Sequence, residues 1–165
     1  MIVQRISSAP HLMLPKMARA PQHNDASKTH IRAVGGVVYR WHMGRLELLL
    51  IRKRHGYWTL PKGKLKKHES DSDGLIRELR EETGIGGDIE QCVQQVRYCI
   101  EKKGKLRDKT VTYYLVCAEQ GELCPGVHEG IELLRWFPIQ AALRRLRRAR
   151  LRWIVRSARS MLMDD

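Results

Sequence analysis

The feature that most constrains this chain is a short acidic segment within an otherwise basic sequence. Residues 69–90 hold eight of the 18 acidic residues, although the whole chain carries a formal charge of +13. In this segment Glu78, Glu81 and Glu82 have the spacing i, i+3 and i+4, which places their side chains on one face of a helix. These carboxylates repel one another unless a cation binds them. Hard oxygen donors at this density favour Mg²⁺ or Mn²⁺.

The ends of this acidic helix are also readable from the sequence. Ser70 followed by Asp73 is a variant of the capping box that begins a helix, and Gly84 is typical of the left-handed position that ends one. The spacing therefore predicts a helix over residues 70–83. An alternative interpretation of its acidic face is a solvated surface whose ion-pair partners are the neighbouring arginines.

The rest of the pattern predicts strands on both sides of this helix. Five stretches have the composition and length of strands: residues 29–41, 46–52, 89–101, 109–118 and 131–137. A basic helical segment follows Pro138, with a bend near residues 148–151. This order indicates an α+β fold or a layered α/β/α domain, with a basic C-terminal helix at the end of the chain. No apolar run approaches the roughly 20 residues of a membrane span.

A longer motif surrounds the three glutamates. The segment from Gly63 to Ile85 reads G-x5-E-x7-R-E-L-R-E-E-T-G-I. It resembles the signature of the Nudix hydrolases and matches that signature at every defined position. The resemblance implies a Nudix fold, in which a mixed β-sheet lies between helices in an α/β/α arrangement and the loop–helix–loop of the motif lies at the active site. It also implies an enzyme that hydrolyses a nucleoside diphosphate linked to another group, which overturns the interpretation of a merely solvated acidic face.

The same resemblance implies roles for individual residues. The metal ligands that it implies are Gly63 (through its carbonyl), Glu78, Glu81 and Glu82, for Mg²⁺ or Mn²⁺. Family members commonly place a further catalytic or metal-binding glutamate in a later loop. Here Glu129 is predicted for that position and Glu132 is its competitor, while a plain surface charge is the alternative for either. The predicted catalytic residues are then Arg77, which would orient the motif, and Glu78, Glu81 and Glu129.

A cationic rim adjoins the acidic segment and indicates an anionic substrate. Lysine is a good point charge for phosphate, and the form W-x-L-P-K-G over residues 58–63 is similar to that of diadenosine polyphosphate hydrolases and some relatives that act on 8-oxo-nucleotides. The residues predicted to contact substrate are Arg52, Lys62, Lys64, Lys109 and Tyr113. Tyr114 is the alternative to Tyr113, because one of two adjacent strand residues faces the core.

Three parts of the chain follow from these assignments. They are a flexible N-terminal extension over residues 1–28, a Nudix hydrolase domain over residues 29–145, and a basic helical tail over residues 146–165. The favoured function is metal-dependent cleavage of a phosphoanhydride bond in a dinucleoside polyphosphate or a modified nucleoside triphosphate, in the cytoplasm. Two alternatives stay open: an RNA 5′-end pyrophosphohydrolase that holds RNA through the tail, and a non-catalytic regulator that binds nucleotides or nucleic acid. The intact motif argues against the regulator.

Overall fold

The structure is a computed structural model that describes residues 30–54 and 56–163, so the extension predicted over residues 1–28 lies outside the described part. The described residues form seven strands, three α-helices and one 3₁₀ turn. The strands are β1 (Ile31–His42), β2 (Arg45–Lys53), β3 (Trp58–Thr59), β4 (Lys62–Lys64), β5 (Gly87–Lys102), β6 (Lys105–Ala118) and β7 (Ile131–Pro138). The helices are α1 (Asp71–Thr83), α2 (Ile139–Arg145) and α3 (Ala149–Met163), and the 3₁₀ turn is Val127–Glu129.

All seven strands belong to one mixed sheet. β1 lies beside β6 in parallel, in a register that runs from Ile31 opposite Lys109 to Tyr39 opposite Cys117. The other edge of β1 pairs antiparallel with β2 and with the short strand β4. β7 extends the sheet beyond β2, and β5 extends it beyond β6. The short strands β3 and β4 are not among the five stretches that the sequence predicts as strands, because runs of two and three residues carry no readable period.

Helices cover both faces of this sheet. Successive side chains of a strand point to opposite faces, and accordingly Val37 joins the apolar cluster that contains residues of α2 and α3, whereas Val38 joins the cluster that contains residues of α1. Leu48 and Leu49 on β2 divide between the two clusters in the same way. The predicted α/β/α arrangement of an α+β fold is therefore confirmed.

Helix α1 begins and ends where the sequence predicts. The Ser70 hydroxyl accepts a hydrogen bond from the backbone N–H of Asp73 at 3.1 Å. Gly84 ends the helix in the left-handed conformation, with φ of 79°, and its N–H donates to the carbonyl of Arg80. The buried face of α1 carries Leu75 and Leu79, which pack on the sheet. The acidic positions of the helix are thereby held at fixed orientations relative to β1 and β4.

The basic C-terminal segment folds as two helices. The break falls at residues 146–148, slightly earlier than the bend predicted near residues 148–151. Leu151, Ile154 and Ala158 of α3 are buried in the same cluster as the sheet residues, and the arginines occupy the remaining sides of the helix. Residues 146–163 thus contribute to the core of the sheet domain, and a separate role for residues 146–165 stays a prediction. No helix in the described part of the chain is long and apolar enough to cross a membrane.

Candidate active site

Three carboxylates and four lysines line a cavity of about 390 Å³ beside α1. We call this cavity the carboxylate pocket. Its lining residues come from β2, β4, α1, β6 and the 3₁₀ turn: Lys53, Lys62, Gly63, Lys64, Glu78, Glu82, Lys109 and Glu129. Six of the residues that the sequence predicts for metal or substrate binding therefore meet here, and the predicted catalytic residue Glu129 joins them from another part of the chain.

The closest approach in the pocket is between β4 and α1. A Cβ atom built on Gly63 would lie 1.6 Å from the Cδ carbon of Glu78 and about as close to both of its carboxylate oxygens. No side chain fits in that space, so the carboxylate of Glu78 occupies its position only because residue 63 is glycine. β4 is itself fixed, because Gly63 lies opposite Val34 in the β1–β4 ladder.

One guanidinium group organises the acidic face of α1. Arg77 donates to both carboxylate oxygens of Glu69, at 2.7 and 2.8 Å, and its Nη1 donates to Glu78 at 2.8 Å and to Glu81 at 2.9 Å. Its Nη2 also donates to the carbonyl oxygen of Lys64 at 3.1 Å. Hydrogen bonds from Arg77 and from the backbone of Lys66 hold the pKa of Glu69 at about 2. The orienting role predicted for Arg77 agrees with these contacts, which tie the loop to the helix.

Glu82 is the most deeply buried of the glutamates, with 1% of its surface exposed. Its carboxylate accepts a hydrogen bond from the backbone N–H of Lys62 at 2.8 Å and lies 3.2 Å from the Nζ of Lys53. Burial raises the pKa of the Glu82 carboxyl, against the opposing effect of Lys53. Burial and the nearby charge of Lys53 also lower the pKa of Lys62 to about 8. The floor of the pocket is thus a desolvated group of opposite charges.

Glu129 reaches the pocket through close packing of its loop on α1. The N–H of Gly126 donates to the carbonyl oxygen of Glu82 at 3.1 Å, and a Cβ atom on Gly126 would lie 2.1 Å from the carbonyl oxygen of Glu81. Glycine is therefore required for the loop to lie this close. The competing residue Glu132 lies outside the pocket, where it pairs with Arg52 at 3.3 Å. The geometry favours Glu129 over Glu132.

A second cavity of about 390 Å³ adjoins the carboxylate pocket. We call it the aromatic cavity. Its walls are aromatic and cationic, and Lys53 and Lys62 line both cavities. The lining residues are Lys53, Tyr57, Trp58, Thr59, Lys62, Tyr98, Tyr113, Arg147, Arg148, Arg150 and Leu151.

Tyr113 and Tyr114 divide between the two faces of the sheet. Tyr113 is 1% exposed and lines the aromatic cavity, and its ring fills the space in which Gly35 lacks a side chain. Tyr114 lies on the α1 face and donates to Asp71 at 2.8 Å. Burial raises the pKa of Tyr113 above its ordinary value. Of the two alternatives, the structure thus places Tyr113 at a cavity.

Arg52 is the predicted substrate-binding residue that lines neither cavity. Its guanidinium lies 5.8 Å from the ring centroid of Trp58 and pairs with Glu132. The neighbouring Lys53 lines both cavities instead, at a register irregularity between β2 and β7. Lys53 belongs to the basic run of residues 52–54, which the sequence adds to the cationic rim and from which it predicts Arg52 as the substrate contact.

Several cavity residues have no signal in the sequence. Tyr57 lies in a loop and Tyr98 lies in β5. Arg147 and Arg148 lie between α2 and α3, and Arg150 lies in the first turn of α3. The sequence identifies these arginines only as part of a basic segment. Their position beside Tyr57 and Tyr98 depends on how the C-terminal helices pack on the sheet, which no local pattern specifies.

The donor chemistry of the carboxylate pocket fits a hard divalent cation. Carboxylate and backbone carbonyl oxygens are the ligands that Mg²⁺ and Mn²⁺ prefer. Because Gly63 has no side chain, the Glu78 carboxylate has room beside it. Glu81 does not line the pocket, although its carboxylate shares the Nη1 of Arg77 with Glu78. Among the described residues no three acidic, histidine or cysteine side chains already form a metal cluster.

Comparison with known proteins identifies the fold and the family. The family model described as NUDIX domain matches residues 29–157. An 8-oxo-(d)GTP phosphatase of Mycolicibacterium smegmatis is 30% identical over 74% of this chain, which spans 39% of that protein's length. An asymmetrical bis(5′-nucleosyl)-tetraphosphatase of Mus musculus is 28% identical over 68% of this chain and 82% of its own length. The crystal structure of a C. elegans Ap4A hydrolase in a binary complex superposes with a TM-score of 0.68 and 24% identity, over 82% of this chain and 99% of that one.

Proposed function

Because the chain belongs to the NUDIX domain family, we propose that it is a pyrophosphohydrolase that cleaves a phosphoanhydride bond in the carboxylate pocket. The observation that carries this proposal is the meeting of Glu78, Glu82 and Glu129 with four lysines around one cavity. Lysines that face a phosphate chain neutralise its charge, while a carboxylate takes a proton from the attacking water. Both requirements of the reaction are met by residues of this pocket.

The reaction consumes one water molecule. The water oxygen bonds to one phosphorus atom, the bond between that phosphorus and the bridging oxygen breaks, and the bridging oxygen leaves with the other phosphate. We assign Glu129 as the carboxylate that takes the water proton, since it lies on an exposed turn at the pocket wall. The leaving phosphate is held by lysines such as Lys62 and Lys109.

A divalent ion has candidate ligands beside these groups. Glu78, Glu81 and Glu82, together with the carbonyl of Gly63, would hold Mg²⁺ or Mn²⁺. Such an ion, when bound, would neutralise phosphate charge and lower the pKa of a coordinated water. Arg77 would position Glu78 and Glu81 for that task through the hydrogen bonds it donates to both.

The favoured substrate class is a dinucleoside polyphosphate, with a modified nucleoside triphosphate as the second choice. The names of the mouse and mycobacterial relatives correspond to these two classes. The adjoining aromatic cavity offers Trp58 and Tyr113 as apolar walls for part of a nucleotide. Aromatic walls with a few charged groups are typical of nucleotide and other small-molecule sites.

Hydrolysis of RNA 5′ ends is a second candidate function, and a separate surface favours it. A groove between α2 and α3 is lined by Arg144, Arg152, Arg156 and Arg159, with no acidic residue among its lining residues. Regularly spaced arginines contact phosphate backbones. If RNA is the substrate, neutralising Arg156 and Arg159 lowers RNA affinity in a salt-dependent way and leaves hydrolysis of small nucleotides unchanged.

A substrate panel with two matched variants tests the proposal. The panel contains diadenosine tetraphosphate, 8-oxo-dGTP, ADP-ribose and 5′-triphosphorylated or capped RNA, each with Mg²⁺ or Mn²⁺. We expect Glu129→Gln to lower kcat on the preferred substrate by about 10²-fold, in the range of a lost general base. Glu132→Gln, three residues further along in β7 and outside the pocket, serves as the control and retains wild-type turnover. Equal rates for the two variants would contradict the assignment of Glu129.

A further inference from the structure

Three arginines in the connection between α2 and α3 and in the first turn of α3 line the aromatic cavity and have no function in the reaction described above. We call Arg147, Arg148 and Arg150 the arginine corner. All three line the cavity, together with Lys53 and Lys62, which also line the carboxylate pocket. A continuous cationic path therefore joins the corner to the proposed site of cleavage.

Aromatic rings hold two of these guanidinium groups in place. The Arg147 guanidinium lies 4.8 Å from the ring centroid of Tyr57, and the Arg150 guanidinium lies 4.0 Å from that of Tyr98. A guanidinium over a ring face keeps its in-plane N–H groups available, because the ring attracts the cation without accepting those hydrogen bonds. The stacked arginines are therefore oriented and still able to donate.

The backbone of the corner is fixed from the other side. Arg152, one turn into α3, donates from Nη1 to the carbonyl oxygens of Leu146 at 2.8 Å and Arg147 at 2.6 Å. These bonds satisfy carbonyls at the break between the helices. The three arginines thus project from a tied connection rather than from a free chain end.

No carboxylate neutralises the corner. In the part of the chain that the structure describes, none of its arginines forms an ion pair with an acidic residue, whereas Lys53 has Glu82 and Arg77 has three glutamates. Neighbouring like charges raise one another's energy. A multiply charged anion in the cavity would relieve this repulsion, and its charge would extend toward Lys62.

We propose that the arginine corner binds the part of a polyphosphate chain that lies beyond the bond to be cleaved, and so selects substrates with four or more phosphates. Each bridging phosphate carries one negative charge, so a tetraphosphate supplies charges for both the lysines and the corner, while the diphosphate of ADP-ribose is satisfied by the lysines alone. Planar guanidinium groups donate in pairs to phosphate oxygens. This inference rests on the proposed function and names its substrate class.

Steady-state kinetics with two substrates tests the selection. For Arg148→Gln and Arg150→Gln we expect the KM of diadenosine tetraphosphate to rise about tenfold each, since a charge-assisted hydrogen bond has that effect on affinity. The kcat for that substrate and the KM for ADP-ribose change less than about twofold. Arg150→Lys restores the charge without the planar fork and recovers part of the loss. Arg145→Gln is the matched control, because this arginine of α2 also lies over an aromatic ring, that of Phe137, but does not line the aromatic cavity.

Binding of inorganic tetrapolyphosphate, measured by calorimetry in the presence of a chelator, separates the two proposals. If the wild type binds tetrapolyphosphate and Arg148→Gln binds it about tenfold more weakly, the corner is an anion site even when no substrate of the panel is hydrolysed. If hydrolysis proceeds and the Arg148→Gln and Arg150→Gln variants bind tetrapolyphosphate as the wild type does, the proposed role of the corner is wrong and the proposed hydrolase activity is unaffected. Equal KM increases for both substrates would also contradict the proposed role of the corner.

Discussion

Replacing Gly63 by alanine tests the geometry of the carboxylate pocket directly. The new Cβ would lie 1.6 Å from the Cδ of Glu78, whereas real Cβ atoms essentially never come within 3.0 Å of such a neighbour. The carboxylate must therefore move by at least about 1.4 Å. The carboxylate end of the Glu78 side chain can move, so we expect it to leave its position. The backbone of β4 keeps its pairing with Val34.

The expected result is a large loss of turnover with little loss of stability. A misplacement of about 1 Å in a catalytic group costs on the order of 10²-fold in rate, so we expect kcat on diadenosine tetraphosphate to fall by about that factor. Alanine in an extended segment reduces the entropy of the unfolded chain, which is worth about 0.4–1 kcal/mol in favour of folding. Urea unfolding followed by circular dichroism measures the stability term separately from the kinetics.

Two further variants make this test specific. Gly121→Ala is the matched control, because its Cβ would meet only the Cγ2 of Ile85 at 3.0 Å and no carboxylate. Glu78→Asp withdraws the carboxylate by one methylene, so combining it with Gly63→Ala relieves the collision and the two losses are less than additive. Full turnover of Gly63→Ala would show that the position of the Glu78 carboxylate is not required for hydrolysis, and strictly additive losses in the double variant would show that the two residues do not interact.

Other positions give independent tests. Hydrogen bonds hold the pKa of Glu69 at about 2 against an ordinary value of 4.5. The stabilisation from that carboxylate is therefore complete above about pH 4.5 and is lost as the pH falls toward 2. Urea unfolding across this window should show a shallower pH dependence of the free energy of unfolding for Glu69→Gln than for the wild type. Gly126→Ala places a Cβ 2.1 Å from the backbone oxygen of Glu81, which cannot swing aside, and we expect kcat to fall at least tenfold and stability by about 1–3 kcal/mol. Gly35→Ala places a Cβ 2.5 Å from the buried ring of Tyr113, and we expect a similar loss of stability in denaturant titration; an unchanged midpoint would contradict the packing described.

The sequence predicts the parts of this molecule that local rules specify. Ser70 and Gly84 delimit α1 because capping depends on residues within one helical turn. The order of strands and helices along the chain indicates a layered α+β fold, and the apolar clusters on the two faces of the sheet agree with it. The motif from Gly63 to Ile85 indicates the Nudix family, and the match of the family model over residues 29–157 confirms it.

The parts that the sequence leaves undetermined depend on contacts between distant segments. Lys53 rather than Arg52 faces the cavities, at an irregularity of register that no composition signals. Arg148 and Arg150 line the aromatic cavity because α3 packs across the sheet, and the sequence alone describes them equally well as solvated residues of a basic helix. Whether each of these side chains lines a cavity is determined by contacts between distant segments, and not by the periodicity of the local sequence.

The decisive measurement for the carboxylate pocket is turnover of diadenosine tetraphosphate by the wild type and by Glu78→Gln, with Mg²⁺ or Mn²⁺ and after chelation. We expect wild-type hydrolysis to stop on chelation and to return with the metal, and we expect Glu78→Gln to be slower by about 10²-fold or more with its fold intact. Wild-type hydrolysis that persists in chelator, or a Glu78→Gln variant that turns over as fast as the wild type, would contradict the assignment of the carboxylate pocket as the hydrolytic site.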